Sequence, residues 1–319
     1  MPRASLRPPL IGASVIAVAL TVCLLGGRPA AARDLLDCGI AAPAGGPAVV
    51  VTHLAGVPAI LRVPGVITRP PIILWHGFGA PASEGALMRA LPLDEVPAVK
   101  VYLGLPLFGV RSPAGGIDEM IRRQARDFAS LVFDPVVMGA APELPGVLEA
   151  LRARHCMQAG EKIGLFGFSA GGAAALAALE QRRVRVGAAV TLNASTGLSA
   201  SIAALERATK RRYVWTPRAR LLAERSDAIP RAADIAAGHP PVALLLIHGA
   251  DDQTISPAAA VDLYAALRPY YSRARAGSRL RLSLLPGLSH SWGARAAEPA
   301  LARQIAVWFD RFLPPRGTP

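Results

Sequence analysis

The 319-residue chain predicts an α/β fold: a mostly parallel, doubly wound sheet with helices on both faces. Three observations carry that expectation. The runs 71–75, 162–166 and 242–247 are almost continuously apolar, as strands buried on both faces are, where a sheet with one wet face would alternate. Stretches of helical periodicity lie between the strand signals, and that alternation builds parallel sheets. The segment 194–239 interrupts it, being irregularly helical with no strand signal. Its position suggests a small helical cap over the strand ends, where open α/β sheets bind ligands.

Taken in order, 48–53 and 58–63 read as a strand hairpin turned at Ala55-Gly56 on the sheet edge. The strand 71–75 ends in His76-Gly77-Phe78-Gly79, and a helix is expected at 83–90. A strand at 99–103 leads into a Pro/Gly loop, 105–116, and then helices at 118–133 and 145–155. The strand 162–166 runs into Gly167-Phe168-Ser169-Ala170-Gly171-Gly172, and 186–192 is a further strand. Beyond 194–239 come strands at 242–247 and 279–285, a helix at 257–267 between them and a last helix at 298–312.

Composition bounds the class. With 52% hydrophobic and 18% charged residues the chain can bury a sizeable core, which excludes a disordered protein. Residues 1–32 read as a secretory signal: Arg3 and Arg7 precede an apolar run at 10–25, and Ala30-Ala31-Ala32 offers a cleavage site before Arg33. An uncleaved N-terminal membrane anchor is the alternative, because that run is near the shortest spanning length. The expected mature domain is 33–319, with no stable membrane insertion after cleavage. Removing Arg3, Arg7 and Arg28 and no acid lowers the formal charge from +13 to +10. The cations are scattered and no nucleic-acid motif accompanies them, so they read as solvated helix faces, affinity for a polyanion such as lipopolysaccharide being the alternative, and no nucleic-acid partner is expected. Two cysteines remain, Cys38 and Cys156, and an even pair in an exported chain suggests one disulfide. Buried free thiols are the alternative.

The chemistry starts at Ser169. A strand, then G-x-S-x-G, then an Ala/Gly-rich helix places a serine on a sharp turn with its hydroxyl clear of the sheet. Gly167 and Gly171 make room in that turn, and the helix start aims the Ala170 N–H at a developing oxyanion. The plainer reading is a glycine-rich turn whose serine caps the helix. A serine nucleophile needs a base oriented by a third group. Two loops supply candidates after buried strands, in the order Ser, acid, His: His248-Gly249-Ala250-Asp251-Asp252-Gln253-Thr254-Ile255 and Gly287-Leu288-Ser289-His290-Ser291-Trp292. The other five histidines fit the base role worse, and His76 and His248 belong to H-G turns, where histidine supports the loop. Neither metal-ligand spacing nor a G-x-G-x-x-G after a strand occurs, so no metal or other cofactor is implied.

On these motifs, over about residues 48–313, the chain resembles the α/β-hydrolases, in particular the dienelactone hydrolase-like esterase branch. The resemblance implies Ser169 as nucleophile, His290 as general base and acid, and Asp252 as the residue orienting His290. Asp252 rather than Asp251 follows because such loops carry the acid three residues before an aliphatic position, here Ile255. His76-Gly77-Phe78-Gly79 resembles the H-G-x-G oxyanion loop, where the Phe78 N–H joins that of Ala170. Trp292 and Trp215 are candidate substrate-lining residues, with plain packing an equal reading for Trp292. The function implied is an exported, periplasmic or secreted serine hydrolase acting on a small or polymeric carboxylic ester. Peptide or amide cleavage and acyl transfer use the same triad, and a non-enzymatic binding protein would be expected to lack a triad member. Oligomeric state and acyl preference are not legible.

Overall fold

The computed structural model describes residues 37–39, 46–292 and 298–317; the expected leader 1–32 and its exit at Arg33 lie outside them. The strands form where the apolar runs place them. β1 (Ala48–Leu54) and β2 (Val57–Val63) make the antiparallel hairpin. They are followed by β3 (Ile72–Trp75), β4 (Lys100–Leu103), β5 (Ile163–Phe168), β6 (Val186–Leu192), β7 (Ala243–Gly249) and β8 (Leu280–Leu285). The sheet order is β1-β2-β4-β3-β5-β6-β7-β8; β2 is antiparallel to β4, and every pair from β4 to β8 is parallel. The chain leaves β3 for β4 on one side and returns to β5 on the other. The crevice beyond the carboxyl ends of β3 and β5 is therefore the switch point at which such sheets bind ligands.

Every residue of β3, β4, β5 and β7 is buried, which explains the missing polar alternation. The two-residue period of a strand divides those side chains between two cores. Ile73, Trp75, Leu165 and Leu246 point into one core, and Ile72, Leu74, Phe166 and Leu245 into the other. The helices are α1 (Glu84–Ala90), α2 (Gly116–Phe128), α3 (Leu144–Arg152), α4 (Ala170–Gln181), α5 (Leu198–Thr209), α6 (Pro217–Ser226), α7 (Ala232–Ile235), α8 (Pro257–Arg273) and α9 (Glu298–Phe312). α1 starts at Ser83, whose Oγ accepts from the Ala86 N–H at 3.2 Å. Residues of α3, α4 and α8 cover the first core, and residues of α1 and α9 the second.

Three helices differ from expectation; the one expected over 145–155 is α3, which ends at Arg152, and His155 beyond it has φ 53°. The helix expected over 118–133 ends at Phe128, and a π-helical stretch, Ala129–Met138, follows. The physical reason lies at two residues. Asp127 leaves helical geometry (φ −164°, ψ 92°) and its Oδ1 accepts the Ser130 N–H at 3.1 Å, while Pro135 has no N–H to give the ladder. α8 runs on through Pro269 to Arg273, because buried Leu267 and Tyr271 anchor both sides of the proline and the Tyr271 hydroxyl donates to Val242 O at 2.8 Å.

The insertion after β6 contains α5, α6 and α7 and no strand, as expected. Its apolar side chains do not pack alone. Leu198, Ile202, Ala219 and Leu222 form one cluster with Phe128, Val132, Phe133 and Val137 from the segment before the elbow, closed by Ala170 and Ala173 of α4. Far along the chain, a disulfide joins Cys38 to Cys156 with Cα atoms 4.9 Å apart across a separation of 118 residues. The Cys38 N–H donates to Arg154 O at 2.9 Å beside it. Closing so long a loop lowers the entropy of the unfolded chain, worth about 4–5 kcal/mol on the chain-entropy account.

Candidate active site

Ser169 stands at the turn between β5 and α4 with φ 54°, ψ −116°, outside the regions open to most side chains. The turn is held by the Ser169 N–H donating to Leu192 O (3.0 Å) and the Ala173 N–H donating to Ser169 O (3.1 Å). Its glycines are required by close approach. A Cβ on Gly171 would lie 2.6 Å from Trp75 O, and one on Gly167 would lie 2.6 Å from the Gly172 Cα. Ala170 is the first residue of α4, so its N–H belongs to the four that have no acceptor within the helix.

The structure brings Ser169, His290 and Asp252 together from three strand ends. Ser169 Oγ is 3.0 Å from His290 Nε2, and His290 Nδ1 is 2.8 Å from Asp252 Oδ2. All three residues are buried. The other carboxylate oxygen of Asp252 accepts from the Thr254 and Ile255 N–H groups at 2.8 and 2.9 Å. Burial works to raise the Asp252 pKa, but donation from His248, His290 and the Ile255 N–H outweighs it and holds the carboxyl well below the usual range. Asp252 is thus an anion held for the Nδ1–H of His290, leaving Nε2 to take a proton from Ser169.

Phe78 follows the H-G turn beyond β3 and stacks on Phe108, with ring centroids 5.2 Å apart. His76 aligns the peptide that bears the Phe78 N–H. Its Nδ1–H donates to Gly77 O at 2.8 Å, and its Nε2 accepts the Leu105 N–H at 3.3 Å. Burial pushes the imidazole pKa down, which keeps the ring neutral and able to do both. In a trans peptide the N–H points opposite the C=O, so fixing Gly77 O aims the Phe78 N–H away from His76. Trp292 is buried and meets Phe168 edge-on at 5.8 Å, a packing place in the second core. Trp215 is half-buried and meets Tyr213 edge-on at 5.5 Å, and both pack on the cluster formed by Leu198, Ile202, Phe128 and Phe133.

Two residues of the site were not singled out from sequence for what they do here. His248 presents Nε2 at 3.1 Å to Asp252 Oδ2 and at 3.1 Å to Ile255 O, a second imidazole on the acid. Asn193, at the end of β6, is fully buried and ties three loops: its Nδ2 donates to Ser289 O (2.8 Å) and His290 O (3.0 Å), and its Oδ1 accepts the Gly249 N–H (2.7 Å). Its own φ is 46°, a left-handed conformation that asparagine tolerates. Asn193→Gly keeps that backbone and removes the ties, so it is expected to lower kcat roughly 10- to 100-fold by loosening the His290 loop, with KM little changed. Steady-state kinetics test this; an equal change in both constants would deny Asn193 a positioning role.

Fold and site together define a serine hydrolase on the α/β-hydrolase fold, as the motifs implied. The model of the prolyl oligopeptidase family matches residues 141–315, more than half of the chain and all three of these side chains, and the chain belongs to that family. No curated protein matches its sequence. Among solved structures it is similar to TT1662 from Thermus thermophilus (19% identity, TM-score 0.61, covering 83% of this chain and 97% of that one). It is also similar to an acylaminoacyl peptidase of Pyrococcus horikoshii (18%, TM-score 0.57, 84% and 42%) and to an esterase of Pyrococcus furiosus (14%, TM-score 0.57, 84% and 91%). The match spans less than half of the peptidase chain.

Proposed function

We propose that the protein hydrolyses carboxylic esters with an apolar acyl part through an acyl-enzyme. The observation that carries this reading is the relay from Ser169 through His290 to Asp252, set against the apolar cluster that includes Ala170. Ser169 Oγ attacks the carbonyl carbon as its proton passes to His290 Nε2, and Asp252 holds the imidazolium. The carbonyl oxygen becomes an oxyanion between the N–H groups of Ala170 and Phe78. His290 then returns the proton to the departing alcohol, and water repeats the sequence to free the acid and Ser169.

Membership of the prolyl oligopeptidase family favours a second reading, cleavage of a peptide or aminoacyl amide by the same groups. A panel of p-nitrophenyl esters of graded chain length beside aminoacyl anilides separates the two: the ester reading requires kcat/KM to rise with acyl length, and it fails if only anilides turn over. The helices between 194 and 239, with the stretch Ala129–Met138, act in this reading as the cap that selects the acyl chain. Trp215→Ala and Tyr213→Ala are therefore expected to shift chain-length preference while leaving turnover of the shortest ester nearly intact; uniform losses would make the segment structural.

The same reading takes the protein to an oxidising compartment, in keeping with the Cys38–Cys156 disulfide. N-terminal sequencing of exported protein is expected to begin near Arg33, and an intact Met1 in the membrane fraction would contradict export by cleavage.

A further inference from the structure

α2 is amphipathic, but it is turned the wrong way round for a helix on a globular surface. Positions 117, 121, 125 and 128 follow one stripe along a helix. Ile117 and Ile121 are 73% and 59% exposed, and Ala125 is exposed; Phe128 alone is buried, where the stripe enters the cap cluster. The half-buried side carries Glu119, Met120, Arg123 and Asp127. An ordinary surface helix turns its apolar stripe to the core.

Cations border the stripe. Arg122 and Arg126 are exposed beside it, on stems long enough to lie along an apolar surface while their guanidinium groups reach a polar one. The loop after α5 adds exposed Lys210, Arg211 and Arg212, then Tyr213, the 81%-exposed Val214, and Trp215. It is tied to the end of α2 by the Tyr213 hydroxyl, 3.2 Å from Asp127 Oδ1. The acids here are mostly engaged. Glu119 accepts from Arg122 (3.1 Å) and Arg123 (2.9 Å), and Glu206 accepts the Tyr213 N–H (2.8 Å) and lies 3.8 Å from Arg212. Asp118 is the exposed acid at the start of α2.

We infer that this face, α2 with the loop 210–216, docks onto an anionic lipid surface. An apolar stripe rimmed by arginine and lysine with a nearby Trp/Tyr pair is the composition of a helix lying in a lipid–water interface. A second copy of the chain fits less well, because a two-fold contact sets a patch against itself and would oppose these cations. The docking rests on surface chemistry alone and does not depend on the hydrolytic reading.

Co-sedimentation with lipid vesicles tests it, using the chain as the cell processes it and carrying Ser169→Ala to keep the lipid intact. Binding to phosphatidylglycerol-containing vesicles is expected, weakened by salt, with little binding to phosphatidylcholine alone. Ile117→Ser/Ile121→Ser should lower it at least tenfold, and Arg122→Gln/Arg126→Gln roughly fivefold for each arginine removed. These side chains are exposed, so unchanged circular dichroism and Tm are expected; should the isoleucine variant unfold, the arginine variant decides. Absence of binding to anionic vesicles, equal binding to both lipids, or binding indifferent to the folded variants overturns the inference. A concentration-dependent dimer abolished by the isoleucine variant would assign the face to a second copy instead.

Discussion

Ser169→Ala is expected to remove hydrolytic turnover, with kcat falling about 10⁶-fold, the scale seen when the serine or histidine of a protease triad is removed singly. The argument is chemical and conformational. Alanine keeps the Cβ and leaves the backbone strain at φ 54° unchanged, so the elbow and its N–H donors persist. Only Oγ, 3.0 Å from His290 Nε2, is lost. Residual activity would come from water attacking a carbonyl still polarised by the proposed oxyanion donors, the Ala170 and Phe78 N–H groups. His290→Ala should cost as much, and the double variant no more than either, because the two side chains act as a unit. The measurement is kcat on a short p-nitrophenyl ester, with Tm as the folding control and loss of labelling by a fluorophosphonate as a second readout. Ser169→Ala retaining more than a tenth of the parent kcat would remove Ser169 from the mechanism.

Ser169, Asp252 and His290 were legible because local constraints announce each of them. The elbow needs glycines two positions either side of its serine, and the acid loop needs an aliphatic anchor, here Ile255, whose buried side chain and N–H fix the carboxylate. The sheet was legible because strands buried on both faces cannot hide their composition. Asn193 was not legible. Its partners lie 56, 96 and 97 residues away, and the sequence around it is an ordinary strand end. The helical segment after β6 and its packing partners were half legible for a related reason. The 194–239 insertion breaks the alternation and can be seen, whereas the π-helical stretch that completes its apolar cluster reads as the continuation of a helix until Asp127 and Pro135 are seen to break it.

Asp252→Asn is expected to lower kcat roughly 10⁴-fold, and Asp251→Asn to leave it nearly unchanged. The neighbours face different loops. Asp252 is 3% exposed and receives His290 Nδ1 at 2.8 Å. Asp251 is exposed and its Oδ2 accepts the Gly287 N–H at 2.8 Å, a tie to the backbone of the His290 loop. Asparagine at 252 can turn an NH₂ toward His290 Nδ1 and so favour the tautomer with its proton on Nε2, which cannot accept from Ser169. Asparagine at 251 keeps an acceptor for Gly287 and should cost stability alone, about 1 kcal/mol. The pH dependence of stability adds a second readout for Asp252. The folded-state pKa of Asp252 lies below its unfolded value, so its contribution to stability is present above roughly pH 4 and is lost as pH falls through the folded value. Tm of the parent should therefore fall with acidification below that point, and Asp252→Asn should flatten the fall. The comparison needs ester kinetics at neutral pH and Tm from neutral pH into acid for both variants. A dead Asp251→Asn beside an active Asp252→Asn would move the acid by one residue, and activity in both would place it elsewhere in the chain.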